Sequence, residues 1–238
     1  MPNLPHIRTA FDNDLDAVKA QVGRMGGLVE KALLNAAEAL DTGDRALAEQ
    51  VRTDDRIIDE LEDMIQSECA RLIALRSPTA SDLRTVLTVM RLAAGLERSG
   101  DYAKNLAKRT MVLIEMRPIP GANAAIKRMT RAVVQMLSQA LNAYFTEDAV
   151  LAEEVRQSDY EIDQLYNSLF REFLTHMMED PRNITACMHL HFIAKNIERV
   201  GDHATGIAEQ VIYLITGRFP DDERVKGDDM SLASSQRN

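Results

Sequence analysis

The clearest hydrophobic pattern in the chain lies in its last long segment, between about residues 183 and 216. Apolar residues recur there at alternating steps of three and four, which places them on one side of an α-helix. These residues are Leu190, Ile193, Ile197, Val200, Ala204, Ile207, Val211 and Leu214. Such a regular a/d row is typical of a helix that packs into the core of a bundle.

Helix-breaking residues divide the chain into six segments of this kind. The breaks are Thr42-Gly43, Ser77-Pro78, Pro118 to Gly121, Asp180-Pro181 and Gly217. We expect helices over about 11–41, 44–76, 81–116, 123–145, from just after Thr146 to 179, and over 183–216. The hydroxyl of Thr146 is expected to cap the fifth helix. Long helices joined by short turns, with no segment of strand pattern, predict an all-α antiparallel bundle.

The two halves of the chain repeat each other. Residues 47–61 and 151–165 are identical at nine of fifteen positions, and residues 96–108 and 197–209 at six of thirteen. The repeat predicts two tandem, duplicated three-helix bundles with pseudo-two-fold symmetry. We expect the first to cover 1–118 and the second 119–220, followed by a disordered acidic and polar tail over 221–238.

Four pairs of carboxylates occur at matched places in the repeat. They are Asp55/Asp59 and Glu97/Asp101 in the first half, and Asp159/Asp163 and Glu198/Asp202 in the second. Each pair is spaced i, i+4, so both carboxylates share one helix face, where like charges cost about 0.2–0.5 kcal/mol. The heptad phase places Glu198 and Asp202 away from the a/d row. If the second and third helices of each half are neighbours, four carboxylates meet there.

Clustered carboxylates with no lysine at their centres favour hard cations such as Mg, Mn or Fe over a closed zinc site. The alternative is an ordinary solvated acidic face, paired with arginines on neighbouring turns. The candidates for that pairing are Arg52, Arg56, Arg98, Arg156 and Arg199. Gly100 and Gly201, beside the acids, indicate close approach of either a partner helix or an ion with its waters.

Composition and motifs narrow the class of protein. A formal net charge of −9 argues against a nucleic-acid binder. No apolar stretch is long enough to span a membrane, and the N-terminus lacks the apolar core of a signal peptide. Two cysteines, Cys69 and Cys187, form no disulfide framework, so we expect a cytoplasmic protein. No nucleophile, base and oxyanion site come together in the sequence, and we expect no enzymatic activity.

The repeated motifs resemble the PhoU family. Each copy has Asp-x-x-x-Asp on its second helix and Glu-Arg-x-Gly-Asp-Tyr/His-Ala on its third. The opening His6-Ile7-Arg8 and the later Arg24-Met25-Gly26-Gly27 are also similar to that family's first helix. The resemblance covers about residues 5–216. One departure is that Asn105, four residues after the last acid of the first copy, is replaced by Gly206 in the second.

The resemblance implies a cytoplasmic negative regulator of the phosphate-starvation response. It implies contact with the ATPase subunit of a phosphate ABC transporter and with a sensor histidine kinase, and commonly a homodimer. It also implies divalent or ferric metal (Fe, Mn, Mg or Zn) at all eight carboxylates: Asp55, Asp59, Glu97, Asp101, Asp159, Asp163, Glu198 and Asp202. The alternatives are a structural helical adaptor in which metal has no role, and a metal-dependent enzyme that uses the acidic clusters.

Overall fold

Six long helices make up the part of the protein that the structure describes, as the hydrophobic pattern predicts. The computed structural model describes residues 4–78 and 80–220, and these ranges contain no strand. The helices are α1 (Leu4–Thr42), α2 (Arg45–Arg76), α3 (Ala80–Leu113), α4 (Ala122–Thr146), α5 (Ala149–Glu179) and α6 (Ile184–Thr216). A single 3₁₀ turn, Pro181–Asn183, leads into α6. The fold class is therefore confirmed. The expected tail over 221–238 lies outside the described residues.

The N-terminal caps of α2 and α5 follow the internal repeat. Asp44 Oδ1 accepts a hydrogen bond from the backbone N–H of Leu47, 3.0 Å away. Asp148, its counterpart in the repeat, accepts from the N–H groups of Val150 and Leu151. The expected cap at Thr146 is wrong, because Thr146 is still helical and its hydroxyl donates to the carbonyl of Asn142. A carboxylate is the stronger partner for these free N–H groups.

The helices pack as two three-helix bundles joined along two seams. Within each half every helix contacts the other two, and between the halves α3 packs on α6 and α1 on α4. The predicted a/d row of α6 is buried from Leu190 to Val211, and Leu214 is half-buried against the same core. The outer helices α2 and α5 make no contact with each other in the described ranges. One hydrophobic core therefore runs through both bundles.

The seam between α3 and α6 contains the pseudo-two-fold axis. Arg91 donates a hydrogen bond to Gln210 across one end of the seam. Their repeat counterparts, Phe192 and Arg109, stack across the other end with the guanidinium 4.4 Å from the ring centre. Midway, the rings of Tyr102 and His203 stack at 5.8 Å. The same two repeat positions thus meet at both ends of the seam, with α3 and α6 exchanged. The two helices are therefore antiparallel and related by a pseudo-two-fold axis.

The described helices include none long and apolar enough to cross a membrane. This finding agrees with the sequence pattern, in which charged residues interrupt every apolar stretch.

The seam between α1 and α4 provides a test of packing. A Cβ at Gly26 would overlap Leu141 Cδ1, whereas a Cβ at the adjacent Gly27 would meet no atom within 4 Å. We expect Gly26→Val to cost about 1–3 kcal/mol of stability, because the buried Leu141 side chain must leave its packed position to make room for the valine. Gly27→Val is the matched control, since both variants place the same β-branched residue in α1. Thermal unfolding checks this; equal melting temperatures for the two variants would show that the seam is loosely packed.

Candidate functional site

The acidic residues of the first half meet across α2 and α3, as predicted. The pKa of Glu97 is raised by burial first and then by repulsion from Asp101, Glu62 and Asp59. The pKa of Asp59 is also raised, first by burial and then by repulsion from Asp55. Repulsion between α2 and α3 carboxylates requires their side chains to be close. The two motifs therefore form one acidic face.

A lysine lies inside this acidic face, contrary to the expectation from the sequence. Lys104 Nζ is 2.6 Å from Asp55 Oδ2 and 3.4 Å from Asp101 Oδ1. Asp55 is only 4% exposed, so its charge depends on this partner. The close ion pair with Asp55 is the main cause of the raised pKa of Lys104. The expectation of no lysine at the centre of the pairs was wrong.

The arginines proposed as partners on α2 pair elsewhere. Arg52 forms an ion pair with Glu49 at 2.7 Å, and Arg56 forms one with Glu60 at 3.2 Å. In each pair the two residues lie one turn apart on the exposed side of α2. Lys104 is thus the cation in direct contact with the α2/α3 acidic face, while the charge of Arg98 on α3 opposes the rise in the pKa of Glu97.

The acidic face of the second half lies between α5 and α6, and its buried carboxylate is Glu198. Glu198 is 7% exposed, although the heptad phase placed it away from the core row. That expectation was wrong because α5 packs across the same side of α6. Glu198 Oε1 binds Lys195 Nζ at 2.6 Å, and Oε2 has no hydrogen-bond partner within the described ranges. Asp202 is exposed.

Burial and like charge together perturb the Glu198 carboxyl. Its pKa is raised by burial first, with further repulsion from Asp202 and Asp163, while the hydrogen bond from Lys195 opposes the change. Lys195 precedes Glu198 by three residues, whereas Lys104 follows Asp101 by three, so the two lysines are not repeat counterparts. The lysine that contacts each acidic face therefore occupies a different position in each half of the repeat.

The repeated glycines allow the acid-bearing helices to approach closely. A Cβ at Gly100 would lie 3.1 Å from Ile58 Cδ1 and 3.5 Å from Asp55 Oδ1. At Gly201 it would lie 3.3 Å from Ile162 Cγ2 and 3.7 Å from Asp159 Oδ1. The structure shows the helix-packing alternative directly. The same close approach brings the first aspartate of each motif against the third helix.

The donor set suits a hard cation, but its side chains are not gathered around one point. In the part of the chain that the structure describes, no three His, Cys, Asp or Glu side chains are arranged to hold a metal ion. In the first half, Lys104 places a positive charge between Asp55 and Asp101. A metal that binds there must displace this ammonium group. Metal binding at the eight carboxylates stays a prediction.

Comparison of the sequence with models of known protein families identifies the family of this chain. The family model described as the PhoU domain matches the chain twice, over residues 22–110 and 126–211. Each match contains two of the four acid pairs.

The chain belongs to the PhoU family.

PhoU relatives match almost the whole chain. A phosphate-specific transport system accessory protein PhoU homolog from Rhizobium meliloti (strain 1021) is 45% identical over 231 residues, covering 97% of both chains. A protein of the same name from Zymomonas mobilis is 45% identical, covering 96% of this chain and 95% of its own.

Solved PhoU structures match the fold as well. The crystal structure of PhoU from Pseudomonas aeruginosa has a TM-score of 0.84 and 40% identity, covering 87% of this chain and all of that one. The phosphate transport system regulatory protein PhoU from Streptococcus pneumoniae has a TM-score of 0.82 and 30% identity, covering 89% of this chain and 99% of its own. The resemblance stated from the repeated motifs is confirmed.

Proposed function

We propose that this protein is a regulatory accessory protein of a phosphate-specific transport system. The observation that carries the proposal is the match to PhoU homologs of that name over nearly the full length of both chains. The finer role is that of a cytoplasmic negative regulator without enzymatic activity. It connects the ATPase subunit of a phosphate ABC transporter to a sensor histidine kinase, and acts as a homodimer.

The outer helices support a docking role. On α5, Val150 is 71% exposed and Met178 is 84% exposed. Methionine adapts its shape to different partners, which suits a protein that contacts more than one. Within the described ranges α2 and α5 each pack on helices of their own half alone, so a partner could bind either outer face without disturbing the seam between the bundles.

We further propose that divalent or ferric ions bind the two acidic faces. Crowded carboxylates with raised pKa values support this, as do the oxygen-only donors and the buried Glu198 Oε2 that lacks a hydrogen-bond partner among the described residues. Asp55, Asp59, Glu97 and Asp101 would hold the ion in the first half, and Asp159, Asp163, Glu198 and Asp202 in the second. A bound cation would supply the positive charge that lowers the repulsion within each face.

The alternative, an adaptor in which metal has no role, also has support in the structure. Lys104 and Lys195 already provide cations within the two faces. On this alternative, Asp101→Asn combined with Asp202→Asn leaves partner binding intact.

Deletion of the gene tests the regulatory role. We expect a phosphate-starvation reporter to become active in high phosphate, since the protein that holds the response off is missing. A plasmid copy of the wild-type gene should silence it again. A reporter that stays silent in the deletion strain, in a host where starvation does activate it, would contradict the proposal.

A further inference from the structure

A row of arginines follows the seam between α3 and α6. We call it the arginine row, and its members are Arg84, Arg91, Arg98 and Arg109 on α3 and Arg199 on α6. Each is half-buried or exposed. The four α3 residues lie 7, 7 and 11 residues apart, which keeps them on one side of the helix.

The members of the row contact neutral groups across the seam. Arg84 donates to the backbone carbonyls of Tyr213 and Leu214, and Arg91 to the side-chain oxygen of Gln210. Arg109 contacts the His189 ring nitrogen at 3.3 Å. Hydrogen bonds of this kind leave the full positive charge of each guanidinium in place.

The arginine row also lacks carboxylate partners. Over the described ranges, none of its five members lies within 4.0 Å of an Asp or Glu oxygen, although the chain carries 37 acidic residues. The guanidiniums of Arg98 and Arg199 are exposed near the pseudo-two-fold axis, where both act on His203. Arg98 does oppose the rise in the pKa of the neighbouring Glu97, but no member of the row has a direct carboxylate contact in the described ranges, on a protein of net charge −9.

The row lies on the uncovered side of the α3/α6 pair. The α3/α6 pair is covered on one side by α1 and α4, which contact each other. On the other side α2 and α5 flank the pair, and within the described residues these two helices do not contact each other. From Arg84 to Arg109 the row covers about 38 Å, or seven turns of helix, at about 1.5 Å per residue. This face is long enough for a partner helix of about seven turns to lie along it.

The carboxylates beside the arginine row limit the kind of anion that can bind to it. Glu97 and Asp101 border the row on the α2 side, and exposed Asp202 borders it on the α6 side. A broad polyanion such as duplex DNA or an anionic bilayer would meet these carboxylates and be repelled. A narrow acidic segment that contacts the arginines alone would not be repelled in this way. Exposed Leu87, Met188 and Phe192 near the seam add apolar contacts of the kind an amphipathic helix uses.

We propose that the arginine row between α2 and α5 is the docking surface for an acidic amphipathic helix of a partner protein. This proposal names a partner-binding surface for the proposed regulatory function, and it rests on that function. The charges of the row attract acidic side chains repeated every seven residues, and Leu87, Met188 and Phe192 contact the apolar side of the same helix. Electrostatic attraction of this kind increases the rate of association and makes binding sensitive to salt.

Fluorescence anisotropy with a synthetic probe tests the surface. The probe is a labelled 25-residue helical peptide with Leu on one side and Glu on the other, and its control has Lys in place of every Glu. We expect the wild-type protein to bind the Glu peptide alone, with affinity that falls as salt rises. Arg98→Glu combined with Arg199→Glu should weaken binding at least about tenfold. The matched control is Arg128→Glu with Arg131→Glu on α4, both exposed, which should stay within about twofold.

Several results would overturn the proposal. They are no binding of the Glu peptide by the wild type, equal losses in the two double variants, and displacement of the peptide by a few millimolar inorganic phosphate at constant ionic strength. Row-dependent binding to vesicles containing phosphatidylserine, without binding of the peptide, would also overturn it and assign the row to a membrane.

The reporter strain separates this proposal from the regulatory role. If deletion activates the reporter but Arg98→Glu/Arg199→Glu silences it as well as the wild type does, the docking surface is wrong and the regulatory role stands. If deletion leaves the reporter silent, the regulatory role fails whatever the peptide shows.

Discussion

Replacing Lys104 by Met should lower the melting temperature of the metal-free protein by about 4–8 °C, which corresponds to about 2 kcal/mol for a chain of this size. The substitution keeps most of the packing of the lysine stem but removes the charge that faces Asp55. Because Asp55 is 4% exposed, its carboxylate would be left buried with a weaker partner. Loss of one partner of a fully buried pair costs about 3–5 kcal/mol, and the partial exposure of Lys104 reduces that figure.

Lys108→Met is the control for this experiment. Lys108 is exposed one turn further along α3, and the substitution removes the same charge from the same helix. We expect it to change the melting temperature by less than about 2 °C, since surface charges away from a partner contribute little. Equal effects of the two substitutions would show that the Asp55 pair is not what Lys104 stabilises.

Metal should reverse the effect of Lys104→Met. If a cation binds between Asp55 and Asp101, it competes with the ammonium group of Lys104 in the wild type. The variant should therefore bind Mn²⁺ or Mg²⁺ more tightly, and saturating metal should recover most of the lost melting temperature. A variant that is destabilised but gains nothing from any of these ions would count against a metal site in the first half.

The sequence predicted the fold closely because the information lies in local spacing. The a/d row of α6, the turn residues between helices and the duplicated segments each depend on nearby positions, and the structure confirms them. The N-terminus of α5 was misassigned because Asp148 and Thr146 can both act as caps. Which of the two residues caps α5 depends on where the backbone leaves α4, and the sequence does not show this.

The acidic faces were predicted in outline and missed in detail. The meeting of the four carboxylates was predicted on the condition that α2 and α3 are neighbours, which they are. The position of Lys104 Nζ beside Asp55 depends in addition on how far the two helices are shifted along each other. The spacing of Asp101 and Lys104, three residues apart, was the one local signal of this cation. The burial of Glu198 depends on α5, a different helix, and heptad phase describes only the residue's own helix.

The most direct test of the account is the metal content of the purified protein. Wild type and Glu97→Ala/Asp101→Ala are stripped with chelator, reloaded separately with Fe, Mn, Mg and Zn, and measured by mass spectrometry. Glu49→Ala/Glu60→Ala is the control, since both glutamates are exposed on α2 and the change in charge is the same. Circular dichroism confirms that all three remain helical.

We expect the wild type and the control to hold stoichiometric metal, and the Glu97/Asp101 variant to lose the share bound by the first half. The physical reason is that this variant removes both α3 carboxylates from the face, leaving too few oxygens for a hard cation. No metal in the wild type after any loading, or equal metal in all three proteins, would contradict the account and leave the repeated acid pairs as lysine-neutralised surfaces.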